Sequence, residues 1–156
     1  MTVGALPEPI AFEERGVFAP LDTGKRPSSA YLGPVEWDRS GDFTYGFWLQ
    51  VGSGDGKRIG NLYAPGALTL KFDAETVTLS AMKSPEVTAD PYPRMVPGAQ
   101  TAYFKVPAGM LKRMAASHEI ELNLLAADLT PVHFTPFRET RSALTQFVEA
   151  RDVATD

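Results

Sequence analysis

The sequence predicts an α+β fold: a largely antiparallel, twisted sheet with one or two helices packed on it. Two observations carry this. Several short segments alternate apolar and polar residues with period two and follow one another through turns, and two later stretches carry apolar stripes at helical spacing behind helix-start residues. A β-sandwich with a peripheral helix is the alternative reading.

Residues 1–41 hold Pro7, Pro9, Pro20, Pro27 and Pro34 together with Gly4, Gly16, Gly24, Gly33 and Gly41, punctuation too dense for long regular elements. Phe12, Val17, Phe18, Leu21, Tyr31, Leu32, Val35 and Trp37 are nevertheless too apolar for a free tail. The segment is therefore expected to lie extended across the domain body, with short strands near 16–19 and 29–37. The alternation becomes regular from Asp42, where Phe43, Tyr45, Phe47, Leu49 and Val51 interleave with Thr44, Gly46, Trp48 and Gln50 in a half-buried strand.

Leu68, Leu70 and Phe72, then Val77, Leu79 and Ala81, flank the polar connection Asp73-Ala74-Glu75 and predict a hairpin. Residues 84–99 contain four prolines and Gly98 and read as a long loop, a class that is often functional. Ala102, Phe104 and Val106 alternate in another strand. Pro107 opens a helix over about 107–117, with Met110, Leu111, Met114 and Ala115 on its buried stripe. Ile120, Leu122 and Leu124 form the next strand, which turns at 127–130 toward Val132, His133 and Phe134. Thr135 as N-cap and Pro136 at the first helical position predict a second helix over about 136–151, amphipathic through Leu144, Phe147 and Val148.

With 156 residues the chain fits one domain, 1–156, able to bury roughly 70% of the surface of its unfolded chain. The 44% hydrophobic and 22% charged residues are those of an ordinary folded domain. A net charge of −4 works against a polyanionic partner, so nucleic acid is not expected. The chain has no cysteine, which removes disulfides, thiolate metal sites and cysteine nucleophiles. No stretch approaches the roughly 20 apolar residues of a membrane span. A soluble protein is expected, cytoplasmic, or periplasmic if a signal peptide has been removed.

The stretch Gly52-Ser53-Gly54-Asp55-Gly56-Lys57-Arg58 invites a phosphate-loop reading. A Walker loop requires Gly, four residues, then Gly-Lys-Ser/Thr, but Val51 stands at the first position and Arg58 at the last. No helix pattern follows to supply N-terminal amides to an anion. A solvated turn is the better reading, and a single carboxylate falls well short of the six or more oxygens that calcium takes.

The only histidines, His118 and His133, fall on neighbouring strands or strand ends, where they can approach each other. Zinc takes three or four ligands, and the neighbouring Glu119 and Glu121 do not make a persuasive set, so no metal and no cofactor are expected. No Gly-x-Ser-x-Gly elbow is present, and no catalytic residue is assigned. Aromatic residues on outward positions or loops are the remaining signal, since Trp and Tyr are enriched at recognition surfaces. Trp48, Tyr63, Tyr92 and Arg94 are the candidate binding residues, although Trp48 is also placed to be covered by the N-terminal segment or a helix.

The function these features favour is a non-catalytic binding or protein-interaction module with a protein or small-ligand partner. A homodimer through an exposed strand edge is a further possibility. The alternative is a small hydrolase or ligand-binding enzyme with its site near His118, His133 and the 84–99 loop, where Arg94 presents a guanidinium to an anion. A structure with no cavity beside either histidine would remove this second reading.

Overall fold

A computed structural model describes residues 2–6, 8–14, 28–54, 59–83, 91–95, 99–136 and 141–151. Nine strands form one sheet: β1 (Thr2–Ala5), β2 (Ile10–Glu14), β3 (Ser29–Arg39), β4 (Asp42–Gly52), β5 (Leu68–Phe72), β6 (Glu75–Leu79), β7 (Gln100–Val106), β8 (Ile120–Leu125) and β9 (Pro131–Pro136). Among the described residues two helices accompany them, α1 (Ala108–Ala116) and α2 (Arg141–Ala150). Strand order is β6-β5-β8-β9-β2-β3-β4-β7, with β1 on β3 beside β2, and every pairing is antiparallel.

The sheet curls into a nearly closed, barrel-like form and is not a sandwich. Its end strands β6 and β7 come together just past β6, where Met82 N–H donates to the Tyr103 carbonyl at 2.8 Å. Farther along the same seam, Arg113 of α1 reaches Glu75 of β6 at 3.0 Å. The near closure shortens the open strand edge through which a homodimer would form.

Alternation explains how the sheet fills its interior. Residues directly opposite one another share a face, so the register carries inward rows around the sheet: Ile10, Leu32, Leu49 and Ala102, and then Leu70, Leu122 and Phe134. All of these are buried. Met110, Leu111 and Met114 of α1 and Leu144 and Phe147 of α2 join the same core, and the helices pack on each other. Arg151 then ties the end of α2 to the first strands. Its guanidinium lies 4.3 Å from the Phe147 ring centroid, donates to Ala5 O at 3.2 Å and approaches Glu36 at 4.0 Å.

Two turns matter below. Asp73 and Ala74 alone separate β5 from β6, and Asp73 adopts φ +54°, a left-handed conformation that Asp tolerates better than most residues. The β8–β9 connection closes with Ala126 N–H donating to Thr130 O at 2.8 Å, which leaves a three-residue loop with Leu129 at φ +70°.

The strands expected at 29–37, 43–51, in the 68–81 hairpin, at 102–106, at 120–124 and at 132–134 are present, as is the helix after Pro107. Of the segment 1–41, residues 2–5, 10–14 and 29–39 are strands of the sheet, while the strand expected at 16–19 lies outside the described residues. The expected helix start is corrected. Thr135 and Pro136 end β9, opposite Glu13 and Phe12, and α2 begins at Arg141 beyond the undescribed 137–140. At the strand's end, beyond its pairing with β8, a proline costs the ladder at most one donor, so Thr-Pro fits either state and the pairing with β2 decides.

Candidate functional site

The aromatic candidates divide. Gly33, Trp48 and Tyr103 stand opposite one another on β3, β4 and β7 and face outward. Tyr92, from the segment 91–95, lies over them. Its ring is 4.9 Å from that of Trp48, and its hydroxyl donates to Pro34 O at 2.7 Å while accepting from Leu6 N–H at 3.2 Å. Burial pushes the Tyr92 hydroxyl pKa well above the usual tyrosine value.

Two glycines make room for this layer. A Cβ on Gly33 would sit 2.2 Å from Tyr92 Cζ, and one on Gly46 would sit 2.8 Å from the Trp37 ring and 2.4 Å from Phe104 O. Trp48 and Tyr92 are 1% and 3% exposed, so both are taken up by packing. The indole N–H groups of Trp37 and Trp48 have no hydrogen-bond partner among the described residues, a desolvation cost that the apolar packing of the layer offsets.

Tyr63 and Arg94 are exposed, and the structure brings their neighbourhoods together through β4 and β7. The Tyr63 hydroxyl donates to Thr101 O, the Gln50 amide donates to Thr101 Oγ1, and Met95 N–H donates to Gln50 Oε1 at 2.7 Å. Tyr63 and Met95 are 49% and 39% exposed, a small apolar patch beside Arg94. Of the expected 84–99 loop, residues 84–90 and 96–98 lie outside the described residues. In the glycine-rich stretch, Ser53 Oγ accepts from Ile59 N–H at 2.9 Å, and residues 55–58 of the expected turn lie outside the described residues.

The histidines do not meet. His133 pairs with Asn123 across β8 and β9, and Asn123 is five residues along the chain from His118. At ~3.3 Å per residue that separation is roughly 17 Å. His118 is exposed after α1, where its N–H and that of Glu119 donate to the Asp73 carboxylate at 2.9 and 3.0 Å. Those bonds, Glu119 first, hold the Asp73 carboxyl below the usual carboxylate pKa.

His133 belongs to a polar row that sequence reading did not assemble. On the outer face of β5, β8 and β9, Lys71 stands opposite Glu121, Thr69 opposite Asn123, and Asn123 opposite His133. Asn123 Nδ2 donates to Glu121 Oε2 at 3.3 Å, and its Oδ1 meets His133 Nδ1 in a short hydrogen bond. A carboxylate accepts only, so the Asn123 NH₂ must face Glu121 and its carbonyl must face the imidazole. His133 Nδ1 is therefore the donor of this pair, and in the neutral imidazole Nε2 is then the acceptor. Asn123 is only 8% exposed, which holds the amide in place.

Beside this row opens a cavity of about 310 Å³, lined by Gly66, Ala67, Thr69, Lys71, Asn123, Leu124, Leu125, Pro131 and His133. Its volume is at the lower end of the range for small-ligand sites. Lys71 Nζ lies 3.9 Å from Glu121 Oε2, longer than a charge-assisted hydrogen bond, so ammonium donors remain for a ligand. One end of the groove is polar, with Lys71, whose ammonium faces Glu121 just outside the lining. The other is apolar, with Ala67, Leu125 and Pro131. Among the described residues no cluster of three or more His, Asp or Glu side chains fits a metal ion.

The signal that could have found the row was the hairpin arithmetic. Closing the β8–β9 turn at Ala126 and Thr130 sets Asn123 opposite His133. No helix among the described residues is long and apolar enough to cross a membrane. Compared with known protein families, with curated proteins and with solved structures, the chain matches none.

Proposed function

We propose that this protein is a non-catalytic binding module whose ligand is a small molecule held in the groove over β5, β8 and β9. The observation that carries the reading is the Glu121–Asn123–His133 row at the groove. A buried amide that fixes an imidazole tautomer beside an open cavity prepares a directed acceptor, and binding gains when such groups are already in place.

The test is a fragment screen read by backbone amide shifts. Binders should perturb residues 66–71, 121–125 and 131–133. Perturbations confined to the Tyr63, Arg94 and Met95 patch would instead support a protein-docking surface, and none anywhere would defeat the ligand reading.

A second reading has a specific observation in its favour: with its proton on Nδ1, His133 Nε2 has the form of a general base acting on a water. The Thr69 hydroxyl shares a 3.2 Å hydrogen bond with that of Thr78, and the nucleophile in this reading is water. Loss of ester hydrolysis in His133→Ala, with folding intact, is its test.

A further inference from the structure

Leu129 breaks two local rules at once. In a three-residue hairpin loop the residue in the left-handed region is usually glycine, because a Cβ there crowds the following carbonyl. Here it is leucine at φ +70°, and 75% of it is exposed. The loop is otherwise well bonded: Leu129 N–H donates to Ala126 O at 2.9 Å, and Thr130 N–H and Oγ1–H both donate to Asp128 Oδ1. The leucine thus stays in an unfavourable conformation and gains no burial in return. Conflicts of this kind collect at functional sites.

The position supplies a use. Leu125 and Pro131, which flank this loop in the chain, line the apolar end of the groove. The polar end offers Lys71, which donates, and His133 Nε2, which accepts. The Lys71 ammonium is already paired with Glu121 at 3.9 Å, so the groove favours a neutral head over an anion. A head that accepts from Lys71 and donates to His133 is a primary amide or a hydroxyl.

Resting on the ligand-binding reading above, we infer that the ligand is a neutral amphipath: an amide or hydroxyl head between Lys71 and His133, and a short aliphatic chain laid over Leu125 and Pro131 to Leu129. Leu129 is then the apolar anchor at the mouth of the site.

The experiment titrates the full chain with butanamide, hexanamide and octanamide, with octanoate as the charged control, for wild type and Leu129→Gly. Affinity should rise roughly threefold to fourfold per methylene that reaches the apolar lining, and octanoate should bind more weakly than octanamide. Leu129→Gly should raise Tm by about 2–4 °C, because the strain is relieved, and yet weaken octanamide roughly fivefold or more. A variant that gains stability with unchanged octanamide affinity overturns the anchor role, and affinity independent of chain length, or octanoate binding as tightly as octanamide, overturns the amphipath. If other fragments shift His133 and Asn123 while the amides do not, the ligand class is wrong and the ligand-binding reading stands. If nothing shifts those residues, both fall.

Discussion

Over β3, β4 and β7 the outer face of the sheet is an aromatic layer closed to water, whereas over β5, β8 and β9 the same face is a groove of hydroxyl, amide, imidazole and charged groups. Strand β4 is buried on every residue from Tyr45 to Gly52, and Trp48 sits beneath Tyr92. Strand β8 buries Ile120, Leu122 and Leu124 inward, and its outward residues Glu121 and Asn123 go into the row that ends at His133. One sheet therefore assigns one outer flank to packing and leaves the other for chemistry. Substitutions in the first should move stability and spare the groove, and substitutions in the second should do the reverse.

The largest expected effect is at Trp48. Trp48→Ala removes a fully buried side chain and should lower unfolding free energy by about 3–5 kcal/mol in urea denaturation, while the His133 resonances of the folded fraction stay put. Gly33→Ala should follow, at about 1–3 kcal/mol, since its Cβ would overlap the Tyr92 ring at 2.2 Å and force the 91–95 segment off the sheet. Equal shifts at the groove in either variant would mean that the two flanks are coupled.

Smaller effects belong to the groove. Asn123→Ala should cost about 1 kcal/mol, because Glu121 loses a donor and His133 its acceptor, and it should abolish ligand-induced shifts at residues 131–133. His133→Ala should change stability by roughly 0.5 kcal/mol or less and still remove binding. A destabilisation as large as that of Trp48→Ala would make the row a structural element.

Smallest is the acid limb at Asp73. Its carboxyl is held below the usual value, so its contribution is present above about pH 4 and is lost as pH falls through the lowered folded value. Asp73→Asn keeps a residue that tolerates the left-handed turn, and it should flatten the loss of Tm between neutral and acidic pH.

Periodicity made the sheet legible, because inward residues such as Phe47, Leu49 and Val51 alternate along β4, although the strand expected to be half-buried is buried on both faces from Tyr45 on. It did not make the outer flank legible. Trp48 and Glu121 hold equivalent outward positions, and only Tyr92, more than forty residues later in the chain, covers one of them. For the same reason Trp48 and Tyr92 read as candidate binding residues and are core, whereas Tyr63 and Arg94 are exposed as expected. His133 was visible as a lone histidine. Its partners were not, because Asn123 and Glu121 look like ordinary solvent-facing residues until the β8–β9 register sets them side by side. The Thr135-Pro136 pair shows the limit of a local signal, since a nonlocal pairing with β2 outweighs a good helix start.

The account turns on the tautomer of His133 and on what approaches its free nitrogen. With only two histidines in the chain, a long-range ¹H–¹⁵N spectrum assigned with a His118 variant reads this directly. The predicted spectrum has the His133 proton on Nδ1 and an unprotonated Nε2 that shifts on adding octanamide. A proton on Nε2, with neither ring nitrogen responding to octanamide or to any fragment that binds the protein, would contradict the assignment of this groove as the ligand site.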